Sequence, residues 1–281
     1  MKKILLLIAL TGILMCAISC GDDDDRPVRT KFTVNTTMLN HMTSGDNVIG
    51  LAVTQNKLEI DTVNHIASLE LNYNAGQGDK QFKLENITAT PKGVNFFTLY
   101  SPTNSSFSGY ADFSEGGAMR YSYTTADGIR VISMTPEVFF RKTASAITYD
   151  DTTKATNWES AMYQFTINAT TNTATVEVMD ILHAKDWKHF VNITGNSVPV
   201  TVTRNGFVIA GENIKTTATY YAQRDSLNTN PSAFKTTDKY PFKTFRSEID
   251  LGNDRLDANY MIGASATVTA TGRTYSNSIE Y

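Results

Sequence analysis

The chain has 281 residues, of which 19% are charged, and its formal net charge is −3 at pH 7. This length allows one large domain or two smaller ones, each with a buried core. The near-neutral charge gives no basic surface of the kind that nucleic-acid binding requires, so that partner class is excluded. Two cysteines are too few for a disulfide-stapled scaffold, and the many threonine, tyrosine and phenylalanine residues favour β-structure.

The first residues have the features of an export signal. Lys2 and Lys3 give a positive start, and residues 4–15 are almost wholly apolar. A run of about twelve apolar residues is too short to span a bilayer. Residues 17–20, Ala-Ile-Ser-Cys, resemble the lipobox of bacterial lipoproteins. The resemblance implies that residues 1–19 are a signal peptide and that Cys20 carries acyl chains such as palmitate.

Cys16 is a competing acylation site, but bulky Met15 precedes it, whereas small Ser19 precedes Cys20. The alternative is an ordinary secretory signal cleaved near Ser19. With Cys16 removed and Cys20 acylated, the mature chain would hold no free thiol. Several acyl chains anchor a protein firmly, whereas one alone gives marginal binding.

An acidic run follows the predicted anchor directly. Asp22, Asp23, Asp24 and Asp25 repel one another, which is typical of a solvated tether, here over residues 20–31. The same run resembles the surface-export signal of Bacteroidetes lipoproteins. That resemblance implies an outer-membrane protein that faces the cell exterior.

Three tripeptides resemble the O-glycosylation sites of Bacteroidetes, in which Asp is followed by Ser or Thr and then an apolar residue or Thr. The candidate acceptors are Thr62, Thr152 and Ser226. The pattern is short, so chance matches in a threonine-rich chain are the alternative.

From Phe32 onward, short runs alternate apolar and polar residues, as half-buried strands do. The pairs Asn205-Gly206 and Asp127-Gly128 are typical of two-residue hairpin turns, because both positions tolerate positive φ. No alternating strand–helix pattern is present, which argues against a parallel sheet. The sequence therefore predicts an all-β, antiparallel barrel or sandwich.

An internal repeat divides this β region. A shift of 94 residues places residues 67–87 on residues 161–181, so that Leu69 meets Tyr163 and Leu71 meets Phe165. The alternative is that any two hairpins in a β-rich chain align this well. The repeat predicts two related β subdomains, at 32–145 and 146–281.

The second half carries a family resemblance, over residues 158–274. The order of its apolar segments resembles that in the calycin-like β-barrel lipoproteins of Bacteroidetes. The segments that carry the resemblance are 174–181, 198–202, 207–214, 240–242, 246–252, 256–263 and 266–272. The resemblance implies an antiparallel barrel or sandwich with a ligand cavity.

Residues with catalytic or metal-binding chemistry form no recognisable constellation. His183 and His189 are six residues apart, which suits neither a zinc motif nor one helix face. Met38, His41 and Met42 are candidate haem ligands, although methionines more often serve packing. We predict no catalytic residue, no metal site and no cofactor.

The sequence thus predicts a non-enzymatic, lipid-anchored binding protein at the cell surface. Its ligand would be a small, partly apolar molecule held in a barrel cavity. The alternatives are a structural or adhesive surface module without a small ligand, and a protein that binds or degrades glycans. The oligomeric state is not predicted.

Overall fold

The structure is a computed structural model, and the chain is all-β, as predicted. The structure describes residues 30–74, 79–93, 95–113, 118–149, 155–182, 190–221, 235–237, 240–253, 255–263 and 266–273. The strands fall into one closed barrel and one ten-stranded sheet, and all their pairings are antiparallel. In the part of the chain that the structure describes, no helix is long and apolar enough to cross a membrane.

The first eight strands close on themselves, because β1 pairs with both β2 and β8. They are β1 (Lys31–Ser44), β2 (Asn47–Asp61), β3 (Ile66–Asn74), β4 (Asp79–Pro91), β5 (Phe96–Tyr100), β6 (Ser108–Asp112), β7 (Ala118–Thr124) and β8 (Arg130–Met134). Successive side chains along each strand point alternately into the barrel and out of it.

The barrel is strongly staggered. A row of paired residues that starts at Lys31 runs round all eight strands and returns to β1 at His41, ten residues further on. Its members are Lys31, Asp61, Ile66, Thr88, Tyr100, Ser108, Ser122, Ile132 and His41. Stagger and strand number fix the tilt and width of a barrel, and eight strands leave an interior about wide enough for side chains.

The other ten strands form the second sheet. They are β9 (Glu137–Tyr149), β10 (Ala155–Asn168), β11 (Thr173–Leu182), β12 (Phe190–Thr203), β13 (Gly206–Ile214), β14 (Thr216–Tyr221), β15 (Lys235–Thr237), β16 (Phe242–Asp250), β17 (Arg255–Ile262) and β18 (Ala266–Arg273). Because β11 also pairs with β12, eight of the ten form a ring of hydrogen-bonded neighbours, and β14 and β15 extend from β12.

The predicted repeat appears in the register of two hairpins. In the β3–β4 hairpin Leu69 pairs with Leu84, and in the β10–β11 hairpin Tyr163 pairs with Val178. These two pairings are related by the 94-residue shift. The strands change sheet between Met134 and Glu137, about ten residues before the domain boundary that the sequence predicts at 145/146.

The two cores meet at the outer face of the barrel. Leu39, Ile132 and Met134 point out of the barrel and are buried in the hydrophobic cluster of the second sheet. A guanidinium nitrogen of Arg120 donates a hydrogen bond to the carbonyl oxygen of Leu251 across the same junction. The barrel and the second sheet are therefore packed together through apolar contact rather than joined only by the chain.

Candidate functional site

Most of the predicted modification sites lie outside the described residues. This holds for Cys20, for Asp22, Asp23, Asp24 and Asp25, and for the candidate acceptors Thr152 and Ser226. Thr62 is described: it lies half-buried in the turn between β2 and β3.

The Thr62 turn is held by its neighbouring carboxylate. Asp61 Oδ1 accepts hydrogen bonds from the backbone nitrogens of Val63 and Asn64, each at 3.0 Å. The bonds from Asn64 are the main cause that holds the pKa of Asp61 below its usual value. The backbone nitrogen of Thr62 donates to the carbonyl oxygen of Thr30 at 3.0 Å, so the turn is bound to the start of β1.

The barrel interior, where the sequence predicts a small apolar ligand, is packed with side chains. Met38, Phe107, Tyr121 and Tyr123 are fully buried there. The Phe82 and Tyr123 rings stack with centroids 4.7 Å apart, and Phe107 and Tyr121 stack at 6.1 Å. Interiors of eight-stranded barrels are either filled in this way or hold one ligand, and the described side chains favour the first case.

One side of that interior is polar. Asn40 Nδ2 donates to Thr54 Oγ1 at 2.6 Å, and Thr54 Oγ1 donates to Asn56 Oδ1 at 3.0 Å. Asn56 Nδ2 donates in turn to Ser133 Oγ at 3.1 Å. We call these four residues the polar chain. Its members bond to one another, so burial leaves their polar groups satisfied and structural.

The three candidate haem ligands point to opposite sides of the barrel wall. Met38 and Met42 belong to the interior cluster, whereas the His41 ring contacts Phe207 of the second sheet, edge to face, at 5.7 Å. On a strand, residues an odd number of positions apart face opposite ways, so these side chains do not converge. Among the described residues, no group of three or more His, Cys, Asp or Glu side chains is placed to hold a metal ion.

A different feature, which the sequence did not indicate, is a fork in the second sheet. The first half of β12 pairs with β14 as far as Gly195, and its last residues pair with β13 from Val200 onward. Ser197 has a φ of 57° and Asn213 a φ of 50°, which is left-handed backbone that ordinary residues adopt at a cost. The two branches therefore diverge over residues 196–199 and 210–215.

Glycine makes the fork sterically feasible. A Cβ on Gly195 would lie 3.2 Å from Ile214 Cγ2 and 3.3 Å from the ring of Phe242. A Cβ on Gly211 would lie 3.2 Å from Ile214 Cδ1. The branches thus approach closely at the base of the fork, and Ile214 and Phe242 fill that base with apolar side chains.

Two open clefts lie at the fork and share Gly211 and Glu212. We call the first the fork cleft, and its volume is about 480 Å³. The exposed polar side chains that line it are Asn196, Ser197, Glu212, Lys215 and Thr217. The second has a volume of about 520 Å³ and runs along β13, β16 and β17, with Thr244, Arg246 and Asn259 in its wall. The fork cleft thus offers hydroxyl and amide groups beside one carboxylate and one ammonium group.

The sequence does not indicate this site, for a physical reason. Residues 196–199 and 211–217 are brought together only when β12 changes partner from β14 to β13. The local pattern there is ordinary strand alternation, and the left-handed residues Ser197 and Asn213 are not glycines. Nothing in the local sequence distinguishes them from residues of an unbroken strand.

Comparison with known proteins identifies no family. No protein-family model and no curated protein matches the chain. Among solved structures, isotype 1 transferrin binding protein B from serogroup B Neisseria meningitidis matches 86% of this chain and 75% of its own, at 10% identity and a TM-score of 0.25. A similarity this low does not bear on the fold or the function of the chain.

Proposed function

We propose that this chain is a lipid-anchored cell-surface protein that binds a polar ligand, of the saccharide class, in the fork cleft. The observation that carries the proposal is a contrast between two places in the structure. The described interior of the barrel is packed with side chains, whereas a cleft of about 480 Å³ lined by polar groups opens at the fork.

The cleft chemistry favours a ligand with many hydroxyl groups. Glu212 accepts hydrogen bonds, Lys215 donates them, and the hydroxyls of Ser197 and Thr217 do both. Hydrogen bonds to charged groups are worth more than neutral ones, about 1.5–3 kcal/mol each. The hydroxyl groups of a saccharide both donate and accept hydrogen bonds, so they are chemically matched to each of these groups.

The same groups favour binding over catalysis. Glycosidases of the usual kind need two carboxyl groups that flank the scissile bond. Among the described residues that line the two clefts, Glu212 is the one carboxylate. We therefore propose a binding role rather than glycan degradation.

The binding proposal is tested with an array of neutral and acidic oligosaccharides, followed by calorimetry of any hit. We expect Glu212→Gln and Lys215→Met each to weaken binding about ten-fold or more, since a charged hydrogen bond is lost. Glu137→Gln is the matched control, because Glu137 is exposed on β9 and is not among the residues that line the clefts. Binding that survives both cleft changes would place the ligand elsewhere and contradict the proposal.

The anchor is proposed from the sequence alone. Cys20→Ala should move the protein into the soluble fraction, whereas the matched change Cys16→Ala should leave it in the membrane. Membrane retention of Cys20→Ala would refute the lipid anchor.

Exposure at the cell surface has its own test. Changing Asp22, Asp23, Asp24 and Asp25 to Ala should keep the protein in the outer membrane but protect it from protease added to intact cells. If the altered protein is still cleaved, the acidic run is not an export signal.

The three O-glycosylation candidates stay proposals as well. Intact-mass measurement of protein from its native host should show a glycan mass that Thr62→Ala, Thr152→Ala or Ser226→Ala removes. An unmodified mass for the native chain would exclude all three.

The second candidate function is a structural or adhesive module. The packed barrel favours it, because a filled barrel presents only its outer surface to partners. If no oligosaccharide binds but the anchored protein still attaches cells to a host matrix, this function replaces the first.

A further inference from the structure

The exposed apolar side chains of the barrel are concentrated in two places. Among the described residues, Val48, Ile49 and Val53 lie on the β1–β2 hairpin, whereas Val63, Ile66 and Tyr100 lie on the surface that begins at the start of β1. We call the second group the tether patch. The exposed fractions of Val63, Ile66 and Tyr100 are 63%, 44% and 54% respectively. Single exposed apolar residues are common on soluble proteins, so what matters is that these three share one surface.

The tether patch is bound directly to the point where the chain enters the barrel. Val63 follows Thr62, whose backbone nitrogen donates to the carbonyl oxygen of Thr30 at 3.0 Å. Lys31 pairs with Asp61, and Asp61 pairs with Ile66. Tyr100, the last residue of β5, lies two strands further round the outer surface in the same row, a lateral separation of about 10 Å. Because the row rises along the staggered barrel, Tyr100 lies further from the start of β1 than Ile66 does, on the side wall of the barrel.

The barrel mouth at this end is also apolar. The ring of Phe32, the second residue of β1, stacks on Phe113 with centroids 5.4 Å apart and planes 4° apart. Phe97 packs against both rings, with centroids 6.2 Å from Phe32 and 6.0 Å from Phe113. Aromatic side chains therefore line the mouth at this end, and the nearby carboxylate of Asp61 is bound within its own turn.

The predicted lipid anchor is close along the chain. Thr30 is ten residues after Cys20, and ten residues span at most ~36 Å when fully extended. A contact too weak to hold a free protein becomes effective when a tether keeps the two partners together, because its effective concentration is high. Three partly exposed apolar side chains are a contact of that strength.

We propose that the tether patch lies against the bilayer that holds the anchor, so that Val63, Ile66 and Tyr100 insert at the level of the lipid headgroups. The inference rests on the proposed lipid anchor and adds the orientation of the protein to it. Because Thr62 precedes Val63 in the same turn, this orientation is incompatible with a glycan on Thr62 and admits Thr152 and Ser226 as the acceptors. Aromatic and aliphatic side chains with polar neighbours are the usual composition of an interfacial contact.

This orientation serves the proposed binding function. The junction with the second sheet is at His41, ten residues and about 33 Å along β1 from Lys31. A barrel that rests on the tether patch, with β3 and β5 towards the bilayer, therefore holds this junction, which lies on β1 and β8, away from the bilayer. The fork cleft belongs to that second sheet, which the barrel then presents to the medium.

The test uses the full chain, expressed with its own leader in a host that acylates lipoproteins and then reconstituted into phosphatidylcholine vesicles. Val63→Cys and the matched Val48→Cys are each labelled with an environment-sensitive fluorophore. Val48 is 39% exposed at the opposite end of the barrel. Both changes are at exposed positions, so neither threatens folding.

We expect the label at position 63 to shift to the blue and to lose most of its emission when the vesicles contain nitroxide-bearing lipids. The label at position 48 should keep its emission. If the protein floats with the vesicles but both labels behave alike, the orientation is overturned and the anchor stands. A blue shift at position 63 without quenching by the lipids means that a second protein copy covers the patch, which also overturns the proposal. Failure to float overturns the anchor and the orientation together.

Discussion

The side chain of His41 joins the barrel to the second sheet. Its Nε2 lies 2.7 Å from the carbonyl oxygen of Thr203, at the tip of the β12–β13 hairpin, and its ring meets Phe207 edge to face at 5.7 Å. Since a carbonyl oxygen only accepts, Nε2 is the protonated nitrogen of the pair. Two residues before it on the same face of β1, Leu39 enters the apolar cluster of the second sheet.

This junction should make stability depend on pH. Burial lowers the pKa of His41, and the opposing hydrogen bond to Thr203 does not compensate. The folded state therefore takes up the proton less readily than the unfolded state, whose His pKa is about 6.5. The free energy of unfolding is therefore unaffected by His41 above that pH. It falls as the pH drops below that value, by at most about 1.4 kcal/mol per pH unit.

Thermal melts between pH 8 and pH 5 check this expectation. His41→Gln keeps a donor for Thr203 but does not titrate, so its melting temperature should change less over the range. The control is His65→Asn, a change at an exposed histidine with positive φ. If His41→Gln and the unaltered chain show the same dependence, His41 is not the titrating group.

The polar chain inside the barrel should be sensitive to truncation. Asn56→Ala removes the oxygen that accepts a hydrogen bond from Thr54 and the nitrogen that donates one to Ser133. Buried polar groups are then left unsatisfied. We expect a loss of about 1–3 kcal/mol in the free energy of unfolding, measured in urea. Gln55→Ala, on the outer face of the same strand, should change it by less than about 0.5 kcal/mol. Equal effects would mean that the polar chain contributes no net stability.

Gly109 should be the barrel glycine least tolerant of a side chain. A Cβ there would overlap the carbonyl oxygen of Arg120 and lie 2.9 Å from the ring of Tyr121. We expect Gly109→Ala to cost about 3 kcal/mol, or to prevent folding, because backbone atoms must move. Gly45→Ala, with φ of 58° and no atom within 4 Å of its Cβ, should cost only the left-handed strain of about 1–2 kcal/mol. Circular dichroism melts of both variants measure the difference.

Three hydroxyls in the second core should govern stability at alkaline pH. Tyr163 Oη lies 3.1 Å from both Ser145 Oγ and Tyr260 Oη, and burial raises the pKa of Tyr163 to about 12. Burial also raises the pKa of Tyr260. Tyrosine in the unfolded chain loses its proton near pH 10, whereas the buried tyrosines keep theirs. The free energy of unfolding is therefore constant with respect to these groups below pH 10 and falls as the pH rises above it.

Phenolate absorbance and circular dichroism, recorded together, test this expectation. Part of the phenolate signal should appear only as the protein unfolds. Tyr163→Phe should make the alkaline transition shallower and cost about 1 kcal/mol at neutral pH, since Ser145 and Tyr260 lose their shared partner. Exposed Tyr100→Phe should do neither. Buried phenolate signal that appears before unfolding would contradict the assignment.

The sequence by itself determined the fold class and much of the local pairing. Strand alternation predicts which residues face the core, and turns such as Asn205-Gly206 set the register of their hairpins, because these signals lie within a few residues of one another. The 94-residue repeat likewise predicts equivalent pairings at Leu69 and Tyr163. The anchor and the acidic run are also sequence features, and they remain proposals.

Only the tertiary structure decided what the strands enclose. Whether an eight-stranded barrel is hollow or filled depends on its stagger and on how Phe107, Tyr121 and Tyr123 pack across it, which alternation does not specify. The fork cleft depends on β12 changing partners between Gly195 and Val200, and the junction depends on His41 meeting Thr203, 162 residues away along the chain. These contacts arise from packing between distant segments, and a local pattern carries no information about which distant segment a residue will meet.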